Sequence, residues 1–184
     1  MKFHIETPSL VLRELRPEDA DGIFELDTDP LVHRYLGNNP IRSREQAEQT
    51  ISFIMEQYAQ HGIGRWAVIE KSSGSFAGWS GLKFITTVEN NRTRFHDVGY
   101  RLLPRFWGKG YATESALAAL AYGFSELQLE EIIGMANELN AASRRVLEKC
   151  GLRFVEQFMW NGITCDWLRI GAAEWQAQQQ LQQQ

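Results

Sequence analysis

A chain of 184 residues, 43% hydrophobic and 23% charged, suits one compact α/β domain with a sizeable core and leaves two domains cramped. Its net charge of −4 and the lack of a basic block exclude an electrostatic footprint for nucleic acid, so any anion site must be local. The two cysteines, Cys150 and Cys165, are too few for a disulfide framework and have no Cys or His at metal spacing, and no apolar run is long enough to span a bilayer. The charged opening "MKFHIETPSLVLRELRPED" lacks the apolar stretch and cleavage site of a signal peptide. A reduced cytoplasmic setting without membrane, nucleic-acid or metal partners is therefore expected.

In "SLVLRELRPEDADGIFELD", Leu10, Leu12 and Leu15 alternate with polar residues before the spacing turns helical at Pro17, which reads as strand, then helix. Ser43 and Gln46 form a capping box for a helix over about 43–60, ended by Gly62 and Gly64. "RWAVIEKSSGSFAGWSGLKFI" reads as two strands joined at Ser-Ser-Gly. A turn at Asn90-Asn91 leads to a strand over about 93–103. Next come a helix over about 111–126, the short strand "EIIGMA", a helix over about 140–150 closed by Gly151, and strands near 154–160 and 165–170. The tail "QAQQQLQQQ" is low in complexity, so 1–175 is expected to form the domain and 176–184 to fray. Neighbouring antiparallel strands first and a strand-helix-strand-helix unit late predict an α/β fold. Its mixed, mostly antiparallel sheet would have about six to seven strands, with helices on the faces.

Between the strand over about 93–103 and the helix that follows it lies "RLLPRFWGKGYATESALAAL". Gly108 and Gly110 let the backbone approach a ligand, and the loop amides lie at a helix N-terminus, where the dipole favours an anion. Arg105 and Lys109 add positive charge. A nucleotide-hydrolase phosphate loop is excluded by Leu103 in place of its first glycine and by Gly110 after Lys109. A dinucleotide fingerprint lacks its last small residue, at Thr113.

The segment from Arg105 to Ala112 matches the Arg/Gln-x-x-Gly-x-Gly/Ala motif of the Gcn5-related N-acetyltransferases. The chain resembles that family in four stretches that follow family order: "TPSLVLRELRPEDADGIFEL", "RWAVIEKSSGSFAGWSGL", "DVGYRLLPRFWGKGYATES" and "NELNAASRRVLEKCGLRFVE". The likeness is to the branch typified by the ribosomal-protein N-terminal acetyltransferases. It implies a fold whose central strand-loop-helix binds coenzyme A, with acetyl-CoA as acyl donor. The implied acceptor is a primary amine: a ribosomal or other protein N-terminus, a polyamine, an amino acid or an aminoglycoside. The resemblance further implies that Tyr100, Arg101 and Leu102 offer backbone groups to the pantetheine arm. Arg105, Trp107, Gly108, Lys109, Gly110, Tyr111 and Ala112 would wrap the pyrophosphate. Asn140 would touch the pantetheine, and it is also a good helix cap. Monomer and homodimer both stay open.

Acetyl transfer to an amine needs a neutral amine, an aligned carbonyl, stabilisation of its oxygen and a proton for the departing thiolate. The family's acid is a tyrosine seven residues after the helix asparagine, where this chain has Leu147. Ser143 is the candidate for that proton, although a thiol of pKa about 8.5 departs with little help. For the base, His96 and Asp97 point to opposite faces of one strand, so at most one faces the acceptor. Asp97 matches the acidic position of the branch, and an imidazole of pKa about 6.5 suits His96 to the task. Cys150 reads as core, Glu114 as a first-turn partner of the helix dipole, and Arg144, Arg145 and Lys149 as a solvated face. The missing tyrosine keeps an alternative open: an acyl-CoA-binding module that senses the coenzyme without transferring from it.

Overall fold

The computed structural model describes residues 3–182. In chain order these form β1 (His4–Glu6), β2 (Leu10–Glu14), α1 (Ala20–Thr28), α2 (Pro30–His33), α3 (Arg44–His61), β3 (Arg65–Glu70), β4 (Phe76–Ile85) and β5 (Phe95–Leu102). There follow α4 (Tyr111–Ser125), β6 (Glu131–Asn137), α5 (Ala141–Lys149), β7 (Arg153–Trp160), β8 (Ile163–Gly171) and α6 (Ala172–Gln182). The strands make one sheet in the order β1-β2-β3-β4-β5-β6-β8-β7. Every neighbouring pair is antiparallel except β5 and β6. The sheet is thus mixed and mostly antiparallel, with eight strands where six or seven were expected. The extra strand, β1, is three residues without apolar alternation, and it exists through its ladder to β2, Ile5 opposite Leu12.

Alternation along the central strands sorts the two faces. Leu82 of β4 and Val98 of β5 lie opposite each other and turn toward α4. There Gly123 comes so close that a Cβ would sit 2.7 Å from Ile132 and 2.9 Å from Leu82. Trp79, Asp97 and Arg101 point the other way, and Arg101 reaches Asp27 of α1. Leu10, Leu12, Ile23, Leu26, Leu82 and Leu120 are fully buried between these layers, each worth about 1.5–3 kcal/mol of transfer free energy.

Local signals account for most helix ends. Ser43 and Gln46 close the expected capping box of α3, and Gly62 ends it in the left-handed region at φ 69°. The short α2 went unforeseen; Asp29 caps it by accepting from the Leu31 amide at 2.8 Å, with Pro30 in the first turn. The glutamine-rich tail is helical over Ala172–Gln182 as α6, while Gln183 and Gln184 lie outside the described residues. Trp175 anchors this helix against Phe124, with ring centroids 5.7 Å apart, and glutamine is itself a good helix former. Among the described residues no helix is long and apolar enough to cross a membrane.

One irregularity positions everything that follows. β5 and β6 are parallel neighbours, yet only Asp97 pairs with Ile133 and Val98 with Gly134. β5 continues its ladder with β4 as far as Leu102 opposite Gly78. Beyond Val98 the two parallel strands therefore part, and the sheet opens at their C-terminal ends.

Candidate active site

The loop after β5 stands at that opening. Gly108 (φ 73°) and Gly110 (φ 83°) are both left-handed, and a Cβ at either would meet nothing within 4 Å. Glycine is required here by backbone conformation, not by crowding. Gly110 caps α4, its carbonyl accepting from the Glu114 amide at 2.9 Å. The first amides of the helix have no acceptor within it, so a 15-residue helix presents its positive end beside the end of β5. The loop's cations are held elsewhere. Arg105 pairs with Glu25 of α1, and Lys109 Nζ donates to Glu70 Oε1 at 2.9 Å. Trp107, exposed at the rim, donates its indole N–H to the Leu102 carbonyl at 2.7 Å. Of the residues expected to wrap a pyrophosphate, Gly110 stands at the head of α4, while the Arg105 and Lys109 side chains are engaged with carboxylates.

Tyr100 crosses from β5 to the first turn of α5. Its hydroxyl donates to the Ser143 carbonyl at 2.7 Å and lies 3.1 Å from Ser143 Oγ. Asn140 caps the same turn, Oδ1 accepting from the Ser143 amide at 3.1 Å. Burial raises the Tyr100 pKa, so this phenol stays protonated behind the serine. Leu147 is a core residue, packed over Gly134, where a Cβ would lie 2.8 Å from its methyl. Cys150 is likewise core, its thiol pushed up to about 12 by burial.

On the opposite face of β5, Asp97 is 5% exposed and its Oδ2 accepts from Arg65 Nη2 at 2.9 Å. Arg65 Nη1 also donates to the carbonyls of Gly81 and Asp97, at 2.6 and 3.0 Å, bridging three strands. Gly99 makes the room, since a Cβ there would lie 2.7 Å from the guanidinium. The Trp79 ring sits between Arg65 and Arg101, whose guanidinium carbons are 5.3 and 5.0 Å from its centroid. Arg101 then pairs with Asp27 Oδ1 at 2.8 Å, and His33 Nε2 lies 3.9 Å from the same oxygen. Asp97 Oδ1 and both ring nitrogens of His33 have no hydrogen-bond partner among the described residues. Burial, and then Arg101, lowers the His33 pKa. His96 packs on Phe84 on the other face, with ring centroids 4.9 Å apart, and burial lowers its pKa as well.

The sequence model of the acetyltransferase (GNAT) domain matches residues 9–153. The chain belongs to this acetyltransferase family. It is 35% identical over 158 residues to the FsC-acetyl coenzyme A-N(2)-transacetylase of Aspergillus fumigatus, covering 84% of this chain and 66% of that protein's length. It is 30% identical over 166 residues to the uncharacterized N-acetyltransferase YoaA of Bacillus subtilis, covering 88% and 92%. Among solved structures, spermidine N-acetyltransferase from Vibrio cholerae in complex with CoA and spermine shares the fold. Its TM-score is 0.73 at 21% identity, over 92% of this chain and 99% of that one. As a member of the family the protein is an acetyltransferase that uses acetyl-CoA as its acyl donor.

The acetyltransferase gathers its expected residues unevenly. Tyr100, Asn140 and Ser143 meet at one side of the opening, and Trp107 to Ala112 border it. Asp97 lies on the far face of β5, and His96 stands before the strands part, away from Ser143. Glu114 does more than meet a dipole, because its Oε1 accepts from Thr7 Oγ1 at 2.6 Å and the Ser9 amide at 2.7 Å, tying the β1–β2 turn to α4. Arg144, expected to be merely solvated, pairs with Asp166 at 2.9 Å. Arg65, Asp27, His33 and Glu70 went unforeseen. Arg65 with Asp97, Asp27 with Arg101 and Glu70 with Lys109 are joined across tens of residues, and the one local hint was an arginine opening the apolar strand "RWAVIE".

Proposed function

We propose that this acetyltransferase moves the acetyl group of acetyl-CoA directly to a primary amine. In this reading the pantetheine arm lies between β5 and β6 and the pyrophosphate on the amides of 108–112. The opening carries the proposal: two parallel strands that part after Val98, next to a glycine loop at the head of a long helix. Backbone groups of Tyr100 to Leu102 then meet the pantetheine, and an N–H of that stretch stabilises the carbonyl oxygen as charge develops. The neutral amine attacks the thioester carbon, the C–S bond breaks, and Ser143 Oγ hands a proton to the departing thiolate and recovers one from solvent, while Tyr100 holds the serine's turn through its carbonyl. Asp97 Oδ1 accepts the proton lost by the amine, its other oxygen being committed to Arg65.

The likeness to the ribosomal-protein branch and the name of the Aspergillus relative support either a protein N-terminal amine or a small-molecule amine as acceptor. The buried acids Asp27, Asp97 and Asp166 each face an arginine, which leaves little net negative field to draw a polycation. Acceptors with a single amine are therefore favoured over spermidine. Free-thiol release is followed with acetyl-CoA and a panel of peptides, monoamines and polyamines. The expected result is release with at least one monoamine or peptide at a higher rate than with spermidine. Coenzyme binding without release for any amine contradicts transfer and supports the sensor that Leu147 kept open.

A further inference from the structure

The glycines that shape the coenzyme loop also leave it without intrinsic stiffness. Residues of that type lose the most backbone freedom on ordering, so a cradle with two of them needs an external hold to be formed before its ligand arrives. Lys109 and Tyr111 flank Gly110, and both reach the same acceptor. Glu70, the last residue of β3 and 6% exposed, takes Lys109 Nζ at 2.9 Å and Tyr111 Oη at 2.7 Å on Oε1. Its Oε2 takes Ser73 Oγ at 2.6 Å. The Glu70 backbone is fixed as well, its carbonyl accepting from the Gly74 amide at 2.8 Å and its amide donating to the Ser75 carbonyl at 2.9 Å. A hairpin turn thus holds a carboxylate in place, and the carboxylate holds the loop.

We propose that Glu70 is the positioning residue of the coenzyme loop, gripping residues 109 and 111 so that the amides about Gly110 converge on the pyrophosphate of acetyl-CoA. The proposal rests on the coenzyme placement argued above. It assigns Lys109 a structural part: its ammonium neutralises Glu70 beside an anion site, and the phosphate ligands are backbone amides. A carboxylate so near bound phosphates is tolerable only while its charge is spent on Lys109, Tyr111 and Ser73.

The test compares acetyl-CoA with S-acetylpantetheine, which carries the thioester but no pyrophosphate. In Glu70→Gln the ratio of kcat/KM for acetyl-CoA to that for S-acetylpantetheine falls roughly five- to twentyfold, through KM for acetyl-CoA, because only the complete coenzyme uses the loop. Tyr111→Phe gives a smaller change of the same sign, and Lys109→Met, which leaves Glu70 charged beside the phosphates, gives one at least as large. An unchanged ratio, or a parallel loss on both donors, overturns the proposal. Titration calorimetry with CoA runs beside the kinetics. If the native chain binds CoA but acetylates no amine, the transfer reading fails alone, and weaker CoA binding by Glu70→Gln still upholds the clamp. Equal or tighter binding by the variant, or no binding by the native chain, overturns it. Thermal melts check folding, and if Glu70→Gln does not fold, the CoA affinities of Tyr111→Phe and Lys109→Met decide.

Discussion

Arg65 puts a guanidinium where an inward strand position ordinarily carries an aliphatic side chain, and the fold tolerates it only because every neighbour cooperates. Asp97 supplies a carboxylate, Gly81 and Asp97 supply carbonyls, Gly99 supplies space and Trp79 a ring face. Removing one member of such a buried pair ordinarily costs about 3–5 kcal/mol, because the survivor's charge is stranded. A buried imidazole, His33, and a half-buried one, His96, add a pH dependence. Burial holds the pKa of His33 and His96 below the ordinary 6.5. Under about pH 6.5 the unfolded chain thus takes up protons that the folded chain refuses, and stability falls as pH drops through that window. Glu70 acts in another window. Ser73, then Tyr111 and Lys109, hold its carboxyl at about 2 against 4.5, so its contribution is complete above 4.5 and lost as pH falls toward 2. Urea midpoints should be lower near about pH 5.5 than at neutrality, and His33→Gln should reduce the difference. An identical pH slope in that variant would count against His33 as a source.

Among the elements, the β4–β5 pair carries the most demanding contact. Gly78 has φ 144°, and a Cβ there would lie 2.1 Å from the Arg101 carbonyl oxygen and 2.8 Å from Leu102 Cα. Gly78→Ala must push back the end of β5, the stretch proposed to meet pantetheine, at a cost of roughly 2–5 kcal/mol. By contrast Gly74, at φ 69° in the β3–β4 turn with nothing within 4 Å of its Cβ, costs only about 1–2 kcal/mol on change to alanine. Chemical denaturation of both variants checks the order, and equal losses would contradict it.

The same elements show what was legible in the sequence. Ser43 with Gln46, Asn140 before its helix and the Asn90-Asn91 turn are local signals, and each of these features forms where its chemistry sits. The first strand and α2 were too short to show a period, and a run of glutamines does not announce α6, which one tryptophan docks. The glycine loop was readable because backbone conformation leaves glycines behind. Its anchor was not, since Glu70 and Lys109 are joined only once the hairpin folds back beside the loop.

At the scale of the whole molecule, helices flank a sheet whose neighbouring strands are antiparallel except at one seam. That seam is where β5 and β6 run parallel and part, and the glycine loop and the first turn of α5 stand on either side of it. The proposed placement threads the donor through the seam from one side and brings the amine from the other, so that neither acylates the protein; Cys150 is too buried to serve as a carrier. Initial rates of thiol release over a grid of acetyl-CoA and amine concentrations test this most directly, with intact-protein mass measured when the amine is omitted. Direct transfer predicts intersecting reciprocal plots and a protein mass unchanged by acetyl-CoA. Parallel plots, with an acetyl group retained on the protein until amine is added, would contradict it.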